Sequence, residues 1–503
     1  MEPIVRVDRK GDPMGRIRDG DGVIFCCRRG EREIQLTRAF VDPKFHEFPI
    51  KTFQNLNFVA LTLYHKMFLK MDLDVAFPPS HKIEDTLGEV VSRHGLRQLR
   101  VAESEKFAHI TFFLNGKQNR VFPGEEDIQV PSPKGVSFEH IPELSSPGIT
   151  QEVIKGLESG GYHFIAVNYA NGDIIGHIDN QRAKIQCVEA VDKQLGELLE
   201  AAHRAGYLTL ITADHGLIEE TETPDGTLNL SHTTNPVPFV LVPENFTQTL
   251  VRLRKEGILA DVAPTILEMM GLPQPRLMTG RSLIENPSRS DTVKKVLLVI
   301  LDGWGLGRSD QTNPIFLANT PVWDRLAGHF PYSVLNASGA AVGLLDWKPG
   351  NSESGHLCIG AGRVVVQDDL QIEMAMKNGT FLKNPAFLKA MRHVRQKNSS
   401  LHLIAIMSEK SSHGSIDYAI ALLKMAKNEG INDAFVHAIF NGRSEKSRSA
   451  PPFLNRLEKE MTDIGLGQVV SGVGRAMALD RDGNFHLTRK AYEALVFGIG
   501  KPI

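Results

Sequence analysis

Apolar runs of roughly 4–8 residues alternate along this chain with segments whose apolar positions recur every three or four residues. The first pattern reads as buried strands and the second as amphipathic helices, so the chain is expected to be an α/β protein with largely parallel sheets. The clearest helix spans 181–206, where Ile185, Val188, Val191, Leu195, Leu198 and Ala202 form one stripe and Gly206 stands at the C-terminal cap. It runs directly into a strand-like segment, Leu208 to Thr212. A second helix is expected over 417–427, with Ile420, Leu423 and Met425 facing inward. The polar, proline-containing stretch Asn286-Pro-Ser-Arg-Ser-Asp291 reads as a joint between two structured blocks.

Composition narrows the function classes. The 503 residues carry 57 Lys+Arg against 59 Asp+Glu, a net charge of −2. Nucleic-acid or anionic-membrane binding needs clustered positive charge, so neither partner is expected. The longest apolar run, Val296 to Leu301, falls far short of the ~20 residues that cross a bilayer. The charged start MEPIVRVDRKGD has no apolar core of a signal peptide. Four cysteines, Cys26, Cys27, Cys187 and Cys358, make no disulfide framework and read as packing residues in a reducing, cytoplasmic setting. The composition suits a monomer.

Ligands in open α/β sheets bind beyond the carboxyl ends of strands, which directs attention to polar residues closing apolar runs. Val296–Leu301 runs into Asp302; residues 163–167 run toward Asp173 and His177; Leu208–Thr212 runs into Asp214 and His215. Ser352 sits in GNSESGH, read as a tight glycine-flanked turn, and His232 precedes the strand 239–242. Asp173 and His177 have the i, i+4 spacing that places both on one helix face. Carboxylate, imidazole and hydroxyl without thiolate favour Mn²⁺, Zn²⁺ or Mg²⁺. Each residue alone reads more readily as a strand-end cap or an ordinary hydrogen-bonded histidine. Together, three Asp, three His and one Ser exceed the needs of one cation and suit a pair, of the kind that serves phosphoryl transfer. A nearby dication would also activate the otherwise weak Ser352 nucleophile.

These segments, LDGWG, GNSESGH followed by IGAGRV, DIIGH, TADHG and HTTNPVPF, with LRQLRVAESEKFAHITFFLNG and VPSPK, resemble the cofactor-independent (2,3-bisphosphoglycerate-independent) phosphoglycerate mutases of the alkaline-phosphatase superfamily. The resemblance implies two α/β domains: an alkaline-phosphatase-like metal-binding domain, expected at 81–368, and a discontinuous substrate-binding phosphotransferase domain, expected at 1–78 plus 372–503. It also implies a circular permutation, because motifs that open the family sequence here follow those that close it, with the joint near 286–291. Two Mn²⁺ ions would serve the reaction: Asp173, His177 and His232 holding one, and Asp302, Ser352, Asp214 and His215 the other. Ser352 would carry the phosphoryl group between the hydroxyls of 3- and 2-phosphoglycerate, in glycolysis and gluconeogenesis, without 2,3-bisphosphoglycerate.

Family positions further imply substrate contacts from Arg29, Arg32, Lys106, His413, Arg443, Arg475 and Arg481, guanidinium forks being suited to carboxylate and phosphate. Arg29 and Arg32 read, without the resemblance, as a solvated basic helix start. The chain departs from the family where Gly442-Arg443-Ser444 replaces GRD, and Ser444 cannot act as a base near neutral pH. Asp433, Glu409 and Glu445 are the available substitutes. Rival readings are a metal-dependent phosphomonoesterase, a mutase for another small phosphorylated acid, and an inactive paralogue. Retention of all seven candidate ligands speaks against the last.

Overall fold

Val296 to Leu301 is wholly buried inside a strand that begins at Lys295, and the helix expected at 181–206 is a helix of 24 residues, Gln181–Arg204. Its stripe buries Val188, Val191, Leu195, Leu198 and Ala202, while Ile185 is half-buried. The Asn180 side chain accepts from the Ala183 N–H at 3.1 Å and so satisfies one of the first-turn donors. Gly206 ends the segment at φ +70°. The second expected helix runs Ile416–Asn428, with Ser415 Oγ accepting from Asp417 N at 3.2 Å.

The computed structural model describes the chain except residues 29, 79–82, 245–250, 286–293, 410, 412 and 443–449, so the expected joint at 286–291 lies outside the described residues. In chain order the strands are β1 (Ile4–Val5), β2 (Gly22–Phe25), β3 (Asn57–Thr62), β4 (Asp74–Phe77), β5 (Gln98–Glu103), β6 (Glu125–Val130), β7 (Phe164–Tyr169) and β8 (Tyr207–Thr212). They continue as β9 (Val237–Val242), β10 (Glu256–Ile258), β11 (Lys295–Leu301), β12 (Tyr332–Asn336), β13 (Leu401–Met407), β14 (Ala434–Phe440), β15 (Gln468–Gly474) and β16 (Lys501–Pro502). The chain divides into two compact units, Ser80–Leu370 and Met1–Pro79 with Gln371–Ile503.

The Ser80–Leu370 unit holds a sheet in the order β10-β12-β9-β8-β11-β7-β5-β6. Strands β8, β11, β7, β5 and β6 are mutually parallel, and β9 runs against β8 and β12. Its core is rich in Val, Ile and Leu from both faces of these strands, as a sheet covered by helices on both sides requires. The other unit orders its sheet β16-β1-β15-β14-β13-β2-β3-β4, with β15 through β4 parallel and β1 antiparallel at the side. Among the described residues no helix is long and apolar enough to cross a membrane. All four cysteines are buried free thiols.

A buried polar wire crosses the second sheet. Asp21 lies 3.1 Å from His402 Nε2, His402 Nδ1 lies 3.0 Å from His437 Nε2, and His437 Nδ1 lies 2.8 Å from Ser471 Oγ. Burial opposes the charge on Asp21, but its bonds with His402 and the backbone of Ser400 and Arg18 hold the carboxyl below its usual range. As an ionised carboxylate it can only accept, so His402 donates from Nε2, His437 donates to His402, and the Ser471 hydroxyl donates to His437. Burial also holds His437 well below the usual histidine range. An unfolded chain gains that proton near pH 6.5 and the folded one does not, so folding stability is full above this pH and declines below it. We expect the melting midpoint of the unit containing β13–β15 to fall from pH 7 to 5.5 in scanning calorimetry. His437→Gln should reduce the slope by up to about 1.4 kcal/mol per pH unit.

Candidate metal centre

Strands β8, β11, β7 and β5 lie side by side and parallel, so their carboxyl ends share one edge of the sheet. Asp302 directly follows β11, Asp214 and His215 follow β8, Lys106 follows β5, and Asp173 lies in the helix Asn171–Gly176 just past β7. His177 caps that helix, and its Nε2 stands 3.4 Å from Asp173 Oδ1, as the i, i+4 spacing anticipates. Asp302 N donates to Tyr169 O at 3.0 Å, which keeps the ends of β11 and β7 in register. Gly303 turns there at φ +76°, and a Cβ would stand 2.7 Å from Asp173 N, so only glycine lets the two loops meet. His232 arrives from the loop before β9, drawn in by a bridge between Gly216 and Thr233. Its ring stacks on His215 at 3.9 Å between centroids.

Ligand-type atoms converge into two groups, Asp173 with His215 and His232, and Asp214 with His215 and Asp302, each within 4.8 Å. His215 belongs to both. The histidines are oriented from behind: His177 Nδ1 lies 2.9 Å from Leu230 O, His232 Nδ1 2.8 Å from Gly350 O, and His215 Nδ1 3.3 Å from Gly216 O. A carbonyl requires a donor, so each ring keeps a proton on Nδ1, and once Nε2 gives up its own proton to a bound cation its lone pair is the one turned inward. His232 Nε2 stands 3.1 Å from Asp173 Oδ1, and His215 Nε2 3.4 Å from Asp302 Oδ1. Asp173 Oδ1 and Asp214 Oδ2 are buried acceptors with no hydrogen-bond donor. Inward lone pairs facing unsatisfied carboxylate oxygens fit divalent cations, and the O and N donor set suits Mn²⁺, Zn²⁺ or Mg²⁺.

Three carboxylates in so small a volume need positive charge. Lys106, itself buried, donates to Asp173 Oδ2 at 2.6 Å, Asp302 Oδ1 at 2.7 Å and Ser352 Oγ at 2.6 Å. Burial disfavours its charge, but Asp302, Asp173 and Asp214 outweigh that and hold the ammonium above the usual lysine range. Burial likewise works against a charge on His215, while Asp214, Asp302 and Asp173 raise it to about 9. Asp173 and Asp214 stay far below the usual carboxylate range: desolvation opposes this, but the adjacent imidazoles of His177 and His232 outweigh it at Asp173, those of His215 and His356 outweigh it at Asp214, and Lys106 assists at both.

Ser352 differs from expectation in its setting. It is not on a turn but is the first residue of the helix Ser352–Ala361, capped by Asn351, whose side chain accepts from Ser354 N at 2.9 Å. Its hydroxyl therefore stands at a helix N-terminus, where early N–H groups have no helical acceptor and negative charge is favoured. Ser352 Oγ lies 3.0 Å from His215 Nε2 and 3.2 Å from Asp302 Oδ1. A cavity of about 460 Å³ is lined by Lys106, His109, Asp173, His232, Ser352 and Glu353. Sequence reasoning passed over Asn168 and His356. Asn168 Nδ2 donates to Asp302 Oδ2 at 2.7 Å, and His356 stands 3.3 Å from Asp214 Oδ2. Their signal was a polar residue inside the apolar run of β7 and a histidine one turn after Ser352.

The substrate-contact candidates lie in the other unit, again past the carboxyl ends of parallel strands. His413, following β13, is buried with Nδ1 2.9 Å from Glu33 Oε1. Arg475 follows β15 and donates to Asn441 Oδ1, at the end of β14, at 2.9 Å. Arg32, in the helix Gly30–Val41 after β2, donates to Leu479 O at 3.2 Å. Arg481 is exposed and pairs with Glu31 at 2.6 Å. Arg28, which the sequence reading did not single out, donates to the Tyr418 hydroxyl at 2.8 Å and to Ser411 O. Arg29, Arg443, Ser444 and Glu445 lie outside the described residues. Asp433 precedes β14, at the opposite end of that strand from Asn441 and roughly 25 Å from it. Glu409 is exposed and pairs with Arg456 at 3.2 Å.

Removing the buried ammonium tests this electrostatic account. Lys106→Met should destabilise the metal-free Ser80–Leu370 unit by about 3–5 kcal/mol, measured by denaturation in chelator, because it leaves buried carboxylates uncompensated.

Residues 29–274 match the sequence model of the metalloenzyme superfamily, and residues 372–502 match that of the BPG-independent PGAM N-terminus. The stretch described as an N-terminus thus follows the metalloenzyme stretch in this chain. Curated relatives named 2,3-bisphosphoglycerate-independent phosphoglycerate mutase, from Thermosynechococcus vestitus and a Cyanothece species, are 46% identical over 275 residues and 47% identical over 276. Each match covers 54% of this chain and 51% of the relative, so the chain spans about half the length of the curated relatives it matches. A crystal structure of Leishmania mexicana phosphoglycerate mutase at low cobalt concentration is 29% identical over 55% of this chain and 53% of that one, with a TM-score of 0.41. Through residues 29–274 the chain is thus similar to the metalloenzyme superfamily, and through residues 372–502 to the N-terminal domain of the BPG-independent phosphoglycerate mutases.

Proposed function

We propose that this chain is a Mn²⁺-dependent phosphoglycerate mutase that interconverts 3-phosphoglycerate and 2-phosphoglycerate through a phosphoserine at Ser352. The observation that carries the reading is the placement of Ser352 Oγ, within 2.6 Å of a buried ammonium and 3.0 Å of His215 at a helix N-terminus. The domain match at 372–502 supports the choice of substrate. Asp173, His177 and His232 would hold one cation, and Asp302, Ser352, Asp214 and His215 the other. Bound there, the cations supply Lewis-acid stabilisation of phosphoryl charge and lower the pKa of the serine hydroxyl.

The chain's own residues do the rest. Ser352 Oγ forms a bond to phosphorus as the bond from phosphorus to the 3-oxygen of glycerate breaks. The 2-oxygen of the same glycerate then forms its bond to phosphorus as the bond to Ser352 Oγ breaks. Over both displacements one proton passes from the 2-hydroxyl to the 3-oxygen and Ser352 is regenerated, so no 2,3-bisphosphoglycerate is consumed. Lys106 and the first-turn N–H groups of the Ser352 helix offset phosphoryl charge. His413, Arg32, Arg475, Arg481 and the matching Arg29 and Arg443 bind carboxylate and hydroxyls, and water must be kept from phosphoserine while glycerate turns. We read the order of the two matched stretches as a circular permutation joined near 286–291. The reaction belongs to glycolysis and gluconeogenesis in the cytoplasm, carried out by a monomer.

Ser444 in place of an aspartate favours one rival, a metal-dependent phosphomonoesterase that loses glycerate before the second displacement. ³¹P NMR with Mn²⁺ and 3-phosphoglycerate separates the two. The mutase yields 2-phosphoglycerate with little free phosphate, and both chelator and Ser352→Ala reduce conversion by at least 10³-fold. Accumulation of inorganic phosphate alone would replace this reading with the phosphatase.

A further inference from the structure

Glu219 is not itself a candidate ligand, yet it is 1% exposed and touches every loop that brings a candidate ligand from β8, β9 or β11. Its Oε2 accepts from the backbone N–H of Leu217 at 2.7 Å and of Gly305 at 3.1 Å. Its Oε1 accepts from Asn235 Nδ2 at 2.9 Å and from the Thr233 hydroxyl. Leu217 is two residues from His215, Gly305 is three from Asp302, and Thr233 adjoins His232. One carboxylate therefore joins three separate loops, and all four partners are donors.

The surroundings are shaped for this group. A Cβ on Gly216 would come within 2.5 Å of Glu219 Oε1, and one on Gly305 would collide with its carboxyl carbon. Both loops thus approach closely enough to bond the carboxylate only because those positions lack side chains. The backbone adds ties of its own, Ile218 N to Gly303 O at 3.0 Å and Thr233 N to Gly216 O at 3.0 Å, so the loops form one assembly around Glu219. A carboxylate suits four donors because it has acceptor sites only. An amide would turn an NH₂ group toward at least one pair of them.

We propose that Glu219 is a positioning residue for the cation pair: it sets the separation of His215, His232 and Asp302 and thereby the affinity of the centre, touching neither cation nor substrate. This rests on the reading of the centre as a divalent-cation site. Residues that orient metal ligands from behind typically change affinity by 10–100-fold when altered.

The test is Mn²⁺ titration of the full chain by isothermal calorimetry, with melting of each metal-free protein alongside. Glu219→Gln should weaken Mn²⁺ binding by about 10–100-fold. Leu198→Ala, a buried substitution in the helix Gln181–Arg204 away from these loops, should lower the melting midpoint but leave Mn²⁺ affinity within about threefold, separating positioning from general stability. If Glu219→Gln does not fold, Thr233→Val with Asn235→Ala removes two donors while keeping the carboxylate, and should also weaken binding by at least about tenfold. Unchanged Mn²⁺ affinity in whichever of these loop variants folds overturns the role given to Glu219 and leaves the cation site standing. Failure of the unaltered protein to bind Mn²⁺ overturns both.

Discussion

Asp173, Asp214 and Asp302 repel one another inside the protein, and the architecture of the Ser80–Leu370 unit answers that repulsion. Two unit charges about 4 Å apart interact by about 4 kcal/mol at an effective dielectric of 20, so three buried carboxylates could not persist without positive charge among them. Lys106 lies against two of them and His215 between all three. The parallel strands β8, β11 and β7 fix the distances because their residues are paired in register up to their carboxyl ends, and β5 pairs with β7 as far as Val101. Repulsion that would unfold a looser structure here becomes an attraction for divalent cations.

Both units follow one rule with different chemistry. In Ser80–Leu370 the strand ends deliver acids and imidazoles, and in the other unit they deliver Arg28, Arg32, His413 and Arg475. The difference is in sign, mostly negative in the first unit and mostly positive in the second. Strand interiors carry little of this chemistry. Among the exceptions, Asn168 on β7 donates to Asp302 Oδ2, and His402, His437 and Ser471 are hydrogen-bonded in series from Asp21.

Much of the fold could be read from the chain because burial imposes simple periods. The stripe from Val188 to Ala202 and the apolar run of β11 are direct records of what they pack against. Ile185 stood in the stripe yet is only half-buried, while Ala183, Lys184, Cys187 and Val188 around it are buried. The helical start of Ser352 was hidden because two glycines in GNSESGH mimic a turn, whereas Asn351 capping and close packing of Gly355 on Asp214 favour a helix. Glu219 was invisible for a different reason. Its partners are two backbone N–H groups and the side chains of Thr233 and Asn235, brought together only by the tertiary fold.

The pairing of β2 with β13 has a consequence in time rather than in space. Gly22 lies opposite Leu401, so about 380 residues separate the two partners along the chain. At a synthesis rate of about 5–20 residues per second, β2 to β4 wait roughly 20–80 s for β13 to leave the ribosome. During that interval the Ser80–Leu370 segment is made in full and can fold, while the exposed edge and apolar faces of β2 and β3 remain open to wrong partners. The early strands of this chain therefore stay open to wrong partners through most of its synthesis.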